Sequence, residues 1–114
     1  MIRVYIAGPI TKGMWDENIG RGIEAYNRLL DLGFAPYLPH LNFFPALSKR
    51  RPFETWIKLD LEYLKCCDAV LRLPGESKGA DIECAEAQKL GKPVFHDIDK
   101  FCEYRKGRCN EKQF

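Results

Sequence analysis

The sequence predicts one doubly wound α/β domain, flavodoxin- or Rossmann-like, with a small parallel sheet and helices on both of its faces. Short apolar runs rich in β-forming residues alternate with segments whose apolar residues recur at helical spacing. Such an alternation gives parallel strands that are joined by right-handed crossovers. A chain of 114 residues is long enough for one hydrophobic core and too short for two.

The first two elements are a strand and a helix. Val4–Ala7 is an apolar run that ends at Gly8-Pro9, which is typical of a buried strand followed by a turn. From Asp16 onward the apolar residues change to helical spacing, and Gly33 follows where a helix C-cap glycine belongs. The residues expected on the buried face of this helix are Ile19, Ile23, Tyr26 and Leu30.

The second strand, Phe34–Leu38, is predicted at a sheet edge, because Pro36 has no N–H to donate to a neighbouring strand. A connection of residues 39–51 follows, and loops of this length in a small domain are often functional or mobile. Pro52 suits the first turn of a second helix, which extends to about Cys67.

The third strand is Asp68–Leu73, and the third helix runs from about Lys78 to Leu90. A fourth strand, Pro93–His96, completes a domain of residues 1–97, while residues 98–114 have no clear period and are assigned to its C-terminal tail. Ligands of such folds bind at the carboxyl ends of the strands. We therefore expect the turns after Ala7, Leu38 and Leu73 to meet in one crevice.

The composition excludes several classes of protein. With 46% hydrophobic and 30% charged residues the chain is neither disordered nor fibrous. A net charge of +2 gives no electrostatic footprint for duplex nucleic acid. The basic run 49–51 is interpreted as a solvated loop, with a phosphate or nucleic-acid contact as the alternative.

Targeting segments and metal sites are not indicated either. Residues 1–6 are too short an apolar stretch for a signal peptide or a membrane span, so we expect a soluble cytoplasmic protein without membrane contact. Five cysteines without a CxxC pair favour buried free thiols. A zinc site would need His40 or His96 at useful spacing, and we expect no metal and no other cofactor.

Two acids fall on the predicted inward faces of helices. Asp60 lies on the stripe of the second helix, and Glu83 lies on that of the third. Their apolar companions are Phe53, Trp56, Ile57, Leu64 and Cys67 for Asp60, and Ala80, Cys84, Ala87 and Leu90 for Glu83. Burying a carboxylate without partners is costly, so each acid either performs chemistry or serves as a cap or ion-pair partner.

The start of the third helix is a candidate anion site. Ser77–Ala80 follows the third strand directly, and its small residues allow a ligand to approach backbone amides at the positive end of the helix. Ser77 as a simple N-cap explains the same residues equally well. Gly79 and Ala80 also leave space beside the side chain of Glu83.

Four motifs occur in the order and spacing of a known family. They are Val4–Ile10, Asp60–Glu62, Cys67–Val70 and the S-x-G-x-x-x-E segment Ser77–Glu83, which is followed by Ala85 and Ala87. Over about residues 3–96 the chain resembles the nucleoside 2-deoxyribosyltransferase superfamily, including its nucleoside 5′-monophosphate N-glycosidase branch. The resemblance implies a homo-oligomeric enzyme that cleaves, or transfers a sugar at, the N-glycosidic bond of a (deoxy)nucleoside or its 5′-monophosphate.

The resemblance also implies residue roles. Glu83 would be the nucleophile that forms a covalent glycosyl intermediate, and Asp60 would assist the departing base. Tyr5, also catalytic, would line the sugar site with Gly8, while Ser77 and Gly79 would meet the 5′ end of the ligand. The other expected substrate contacts are Pro9, Ile10, Thr11, His40 and Trp56. Nucleotide-hydrolysing members carry an arginine shortly after the first strand, where this chain has Thr11 and Lys12, so phosphate recognition is not implied.

The implied chemistry makes demands on the two acids. A retaining mechanism needs an ionised nucleophile, here Glu83, and a second group that handles the leaving base. The apolar companions of Asp60 are expected to raise its pKa by desolvation, as an acid catalyst requires. Aromatic residues are candidates for stacking on the base, although each is explained as well by core packing. They are Tyr5, Trp15, Phe43 and Phe44.

Two other classes of protein compete with this hypothesis. A non-catalytic module that binds a nucleotide or nucleotide-derived signal would keep the crevice but would not favour Glu83 beside a phosphate. A receiver-type signalling domain would need acids directly after the first strand and an aspartate after the third, where the chain has Gly8-Pro9 and Pro74-Gly75. Ile82 is expected to point outward from the third helix and to contribute to an oligomer interface.

Overall fold

Four strands and five helices make up residues 1–112, the part of the chain that this computed structural model describes, with side chains as far as Arg108. The strands are β1 (Arg3–Ala7), β2 (Ala35–Tyr37), β3 (Ala69–Arg72) and β4 (Val94–Phe95). The helices are α1 (Trp15–Asp31), α2 (Phe43–Ser48), α3 (Phe53–Leu64), α4 (Lys78–Lys89) and α5 (Ile98–Lys112), and a 3₁₀ turn (Pro39–Asn42) precedes α2. The predicted α/β class is confirmed.

The strands form one parallel sheet in the order β2-β1-β3-β4. The strand that contains Pro36 lies at an edge, as predicted. The chain leaves β1 toward one side to form β2 and then crosses to the other side to form β3, so the strand order reverses between β1 and β3. Ala7 and Arg72, the last residues of these two strands, are partners in register. A ligand crevice is expected directly beyond this point.

Both faces of the sheet are covered, because side chains along β1 alternate between them. Val4 and Ile6 pack with α1 and α5 through a cluster completed by Ala25, Leu29, Phe34, Leu38, Ala69, Leu71, Ile98 and Phe101. Tyr5 and Ala7 pack on the opposite side against α3 and α4 through Leu64, Cys67, Val70, Ala80 and Ala87. The doubly wound arrangement is therefore confirmed.

The buried face of α1 differs from the predicted one. Ile23 and Leu30 are exposed, and the buried residues are Asn18, Ile19, Gly22, Ala25 and Leu29. Small residues allow close packing on this side: a Cβ at Gly22 would lie 2.9 Å from Leu38 Cδ1. On α4, Ile82 is half-buried rather than pointing outward. Leu90 follows the last turn of that helix and is exposed instead of inward-facing.

Two segments without a visible period are helical. The connection of residues 39–51 contains the 3₁₀ turn and α2, which at six residues is too short to display a period. The tail forms α5, whose Phe101 packs edge-on against Phe34 and Phe95 at centroid distances of 5.8 and 4.9 Å. Apart from Ile98 and Phe101 the helix is largely polar, so its apolar stripe is too short to be recognised from sequence.

The structure shows the state of four cysteines and the character of the helices within the described residues. Cys66, Cys67, Cys84 and Cys102 are free, but only Cys67 is buried, so the expectation of buried thiols holds for one of these four. The side chain of Cys109 lies outside the described residues. No helix of the described chain is sufficiently long and apolar to cross a bilayer.

Candidate active site

A cavity of about 330 Å³ opens at the carboxyl ends of β1 and β3. Its walls come from the β1–α1 loop (residues 8–12), the segment after β2, one side of α3 and the first turns of α4. The turns that follow the first three strands therefore meet in one crevice, as predicted. All of the expected substrate contacts lie in the lining: Gly8, Pro9, Ile10, Thr11, His40, Trp56, Ser77 and Gly79.

The two acids lie side by side in the wall of this cavity. Asp60 from α3 is 6% exposed and Glu83 from α4 is 5% exposed, and both are part of the lining. Their predicted inward orientation is confirmed. The α3 and α4 helices pack side by side, and the backbone of Gly79 lies next to Phe53 and Ile57 of α3: a Cβ at Gly79 would be in ordinary contact with Ile57 Cδ1 at 3.5 Å. This close approach brings the two carboxyl groups into mutual contact.

Tyr5 contacts Glu83 and is not part of the cavity lining, so its expected place at the sugar site stays a prediction. It points from β1 toward α4, is fully buried, and is absent from the lining. Its hydroxyl donates a hydrogen bond of 2.8 Å to Glu83 Oε2. Burial raises the pKa of Tyr5, so the phenol remains a proton donor at neutral pH. Tyr5 therefore holds Oε2 of Glu83 from the side of β1.

The electrostatics of Glu83 and Asp60 are those of a pair that retains a proton. Burial raises the pKa of Glu83, and the neighbouring Asp60 raises it further, although Tyr5 and Arg72 act in the opposite direction. Burial also raises the pKa of Asp60, as predicted, whereas hydrogen bonds from Glu83 and Asn42 lower it. Two buried carboxyl groups side by side resist losing both protons, so the ionised state of Glu83 that the implied mechanism needs stays a prediction.

His40 lies in the 3₁₀ turn and presents an unsatisfied imidazole to the cavity. The residue is 1% exposed, and neither ring nitrogen has a hydrogen-bond partner among the described residues. Burial lowers the pKa of His40 to about 4, and the Pro9 carbonyl, which is near the ring but not in good hydrogen-bond geometry, opposes this effect in part. The ring is therefore neutral at pH 7, with one nitrogen as donor and the other as acceptor. Buried polar atoms normally have partners, so these two ring nitrogens are an exception among the described residues.

The start of α4 combines a cap with basic residues. Ser77 Oγ accepts a hydrogen bond of 3.1 Å from the Ala80 amide, which confirms the capping interpretation. Lys12 and Lys78 also line the cavity. The ammonium group of Lys12 lies 2.7 Å from Glu76 Oε1, so this ion pair joins the β1–α1 loop to the β3–α4 turn.

Several residues that shape the site were not singled out from the sequence. Asn18 Nδ2 donates to the carbonyls of Ile10 and Lys12 at 3.1 and 2.7 Å, which fixes the β1–α1 loop. Asn42 Nδ2 donates to Asp60 Oδ1 at 3.4 Å. A polar residue on the inward face of α1 could have indicated Asn18. Asn42 gives no such signal, because its role depends on the 3₁₀ turn that precedes α2.

The aromatic candidates divide into three kinds. Phe43 lines the cavity, and Trp15 stacks on it from outside with a centroid distance of 4.8 Å and an interplanar angle of 14°. Phe44 is exposed and lies outside the lining, while Tyr5 is core. The aromatic residues of the cavity lining are Phe43, Phe53 and Trp56. Among the described residues, no three His, Cys, Asp or Glu side chains are grouped as a metal site would require.

Two solved structures share this fold. A 2-deoxyribosyltransferase from the psychrotolerant bacterium Bacillus psychrosaccharolyticus superposes with a TM-score of 0.65 at 27% identity, over 84% of this chain and 75% of that one. A 2-deoxyribosyltransferase from Leishmania mexicana superposes with a TM-score of 0.62 at 21% identity, over 82% of this chain and 62% of that one. The chain thus spans less than two thirds of the second protein. No curated protein sequence matches the chain.

A sequence-family profile covers most of the chain. Residues 2–96 match the family described as "Domain of unknown function (DUF4406)". The matched region includes the whole sheet and every residue of the cavity lining. The chain therefore belongs to the DUF4406 family and, with the motifs and fold described above, to the nucleoside 2-deoxyribosyltransferase superfamily.

Proposed function

We propose that the protein is an enzyme that cleaves or transfers at the N-glycosidic bond of a (deoxy)nucleoside or its 5′-monophosphate through a covalent glycosyl-Glu83 intermediate. The observation that carries the proposal is the pair of buried carboxyl groups, Glu83 and Asp60, that lie side by side in the wall of a cavity of nucleoside size, with Tyr5 bonded to one oxygen of Glu83. A retaining mechanism at a sugar carbon needs a nucleophile and an acid, and this pair supplies both.

The first step of the proposed reaction requires one proton on the pair formed by Glu83 and Asp60. When a nucleoside enters, the proton moves to Asp60 and Glu83 becomes a carboxylate. The Glu83 oxygen that is not bonded to Tyr5 then attacks C1′ of the sugar. The bond from C1′ to the base nitrogen breaks, and its electron pair goes to the base. Asp60 delivers its proton to that base, so the leaving group departs neutral.

The second step reverses these roles. Asp60, now a carboxylate, removes a proton from water or from a second base as this acceptor attacks C1′. The ester bond to Glu83 breaks, and its electron pair returns to the Glu83 oxygen. Water gives hydrolysis and a second base gives transfer. Tyr5 supports both steps because its hydroxyl donates to Oε2 and orients the carboxylate toward C1′.

The ends of the cavity suit the two ends of a nucleotide. Phe43 and Trp56 offer aromatic surface for the base. Lys12, Lys78 and the amino-terminal end of α4 provide positive potential for a 5′-phosphate, one helical turn away from Glu83. Placing the phosphate there separates its charge from the two acids. We propose that His40 hydrogen-bonds the bound ligand, because its two buried ring nitrogens lack partners among the described residues.

Incubation with a substrate panel tests the proposal. Ribonucleosides, 2′-deoxynucleosides and their 5′-monophosphates are each incubated with the protein, with and without a second free base, and the bases are separated by chromatography. We expect release of a free base or exchange of one base for another. Glu86→Gln is the matched control for Glu83→Gln, because Glu86 lies on the same helix outside the cavity lining. Tight binding without either product would favour the non-catalytic nucleotide-binding module.

A further inference from the structure

Arg72, the last residue of β3, has an unusual position for a cation. Its side chain is only 11% exposed, and it is not part of the cavity lining. Alternation along β3 puts it on the same sheet face as Val70, which packs with Tyr5 and with Ala80 of α4. The register pairs Tyr5 with Val70 and Ala7 with Arg72. Arg72 therefore emerges beneath the first turns of α4, on the strand next to the one that carries Tyr5.

The guanidinium of Arg72 binds the turn that leads into α4. It donates to the carbonyl of Leu73, to that of Gly75 at 2.9 Å and to the carboxylate of Asp81 at 3.1 Å. Two of these acceptors belong to the β3–α4 turn, and the third lies on α4 two residues before Glu83. A planar guanidinium can satisfy three acceptors in fixed directions, whereas a lysine ammonium cannot reproduce this fork.

We propose that Arg72 is a positioning residue for Glu83: its fork fixes the β3–α4 turn and the start of α4, and its buried positive charge is the counter-charge of the Glu83 carboxylate. The inference rests on the proposed function in so far as Glu83 acts as a nucleophile. Arg72 lies outside the four motifs that relate the chain to its superfamily. Tyr5 and Arg72 would together support Glu83 from behind, one through a hydrogen bond and the other through charge.

The groups around Glu83 make its charge state sensitive to Arg72. Tyr5 of β1 and Arg72 of β3 lower the pKa of Glu83, whereas burial and Asp60 of α3 raise it. Burial raises the pKa of Cys84 of α4, Arg72 lowers it and Glu83 raises it, so both charges also act on this neighbouring thiol. If Arg72 is removed, burial and Asp60 still raise the pKa of Glu83, and only the hydrogen bond from Tyr5 lowers it. A larger share of Glu83 is then protonated near neutral pH and cannot attack.

Titration of the Glu83 carboxyl by ¹³C NMR tests the proposal without any need for turnover. In the ligand-free full chain, Arg72→Met is expected to move the Glu83 midpoint upward by about one pH unit. Asp81→Asn is the matched control, because it removes one partner of the fork but keeps the arginine charge, and the Glu83 midpoint should stay in place or fall. An unchanged midpoint in Arg72→Met, or an equal rise in Asp81→Asn, would overturn the counter-charge role.

Arg72→Lys separates charge from geometry and serves if Arg72→Met does not fold. It should keep the midpoint of the parent but lower kcat, with KM nearly unchanged, because the turn before α4 loses its fixed position. A rise of the midpoint in Arg72→Lys as well would overturn the proposal. If no substrate of the panel is turned over, the proposed function fails while the carboxyl titrations still decide the electrostatic role of Arg72.

Discussion

Glu83 and Asp60 have similar burial but different neighbours, and the neighbours suit them to different tasks. Glu83 accepts from the Tyr5 hydroxyl and has Arg72 behind it, so its anion is supported from the side away from the cavity. Asp60 accepts a long hydrogen bond from Asn42 and lies among Phe53, Trp56 and Ile57. In the ligand-free chain burial raises the pKa of Glu83 more than that of Asp60, so the proposed mechanism requires that ligand binding move the shared proton from Glu83 to Asp60.

Amide variants of the two acids are expected to fail in different ways. Glu83→Gln removes the nucleophile, so no glycosyl adduct should be found by intact-protein mass spectrometry with any substrate. Asp60→Asn keeps the nucleophile and loses the acid, so turnover of ordinary nucleosides should fall by about 10²- to 10⁴-fold. The same variant should still form the adduct with a 7-methylated purine nucleoside, because that base leaves as a neutral molecule without protonation.

Matched controls for these variants lie on the same helices. Glu86→Gln on α4 and Glu62→Gln on α3 change acids that do not line the cavity, and both should retain the parental rate. A Glu83→Gln protein that turns over nucleosides as fast as the parent would disprove the nucleophilic role.

The free energy of unfolding of Glu83→Gln should depend on pH in a defined direction. The folded-state pKa of Glu83 is raised above its unfolded value of about 4.3. Its contribution is therefore fully present below that unfolded value and is lost as the pH rises through the folded one. Glutamine keeps the hydrogen bond from Tyr5 and carries no charge. The variant should thus match the parent near pH 4 and exceed it by about 1 to 3 kcal/mol at pH 9.

Urea unfolding of parent and variant at several pH values measures this difference. Glu86→Gln serves as the control and should show no comparable trend. A variant that is less stable than the parent at pH 9 would mean that Glu83 is a structural ion-pair partner, with Arg72 as its cation.

At the scale of elements, α4 concentrates most of the proposed chemistry. Ser77 caps the helix, Gly79 lies next to α3, and Glu83 follows one turn after Gly79 on the same face. The 3.6-residue period of the helix makes this arrangement visible from sequence alone. By contrast, the roles of Tyr5 and Arg72 depend on the register between β1 and β3 and on how α4 crosses them. No local pattern encodes that register, so these contacts emerged only from the structure.

Ser77→Ala is expected to discriminate between substrates if the start of α4 holds a phosphate. The KM for a nucleoside 5′-monophosphate should rise about 10-fold or more, whereas the KM for the free nucleoside should change about 3-fold or less. Loss of the cap also destabilises the helix by about 1 kcal/mol. Ser77→Gly is therefore the control, because glycine preserves most of the helix start while it lacks the hydroxyl.

Steady-state kinetics with a matched pair of nucleoside and monophosphate measures the effect. Equal losses for the two substrates would show that Ser77 acts as a cap only. In that case Lys12 and its ion pair with Glu76 would be the remaining cationic contact on the β1–α1 loop.

At the scale of the whole molecule, the order of strands and helices was predicted well because strand runs and helix periods are local signals. Pro36 even located the edge of the sheet. The prediction of the inward face of α1 was wrong. It followed the spacing of isoleucine and leucine residues, whereas the buried face includes the small residues Gly22 and Ala25. Helix α5 was not predicted. Its few buried residues, Ile98 and Phe101, are buried by Phe34 and Phe95, which are distant in the sequence or outside the helix, so they form no helical period of their own.

Exposed apolar residues on segments that line or adjoin the cavity lead us to expect a homodimer. They come from the β1–α1 loop, α1, α2 and α3: Met14, Trp15, Phe44, Leu47 and Phe53. Solvent is an unfavourable environment for so many neighbouring apolar side chains, and a second copy of the chain would cover them. The interface is thus expected beside the cavity and not at Ile82, which is half-buried.

Leu47→Glu tests this expectation, because Leu47 of α2 is 69% exposed and its replacement by a carboxylate leaves the core intact. Light scattering at tens of micromolar, roughly the range of ordinary dimer affinities, should report a dimer for the parent and a monomer for the variant. Leu30→Glu is the matched control, since Leu30 is an exposed leucine near the end of α1 remote from the cavity, and it should stay dimeric. Because Phe43 lines the cavity from the same helix as Leu47, separation of the copies should also raise KM. A parent that is monomeric at this concentration, or a Leu47→Glu variant that remains dimeric, would remove α2 from the interface.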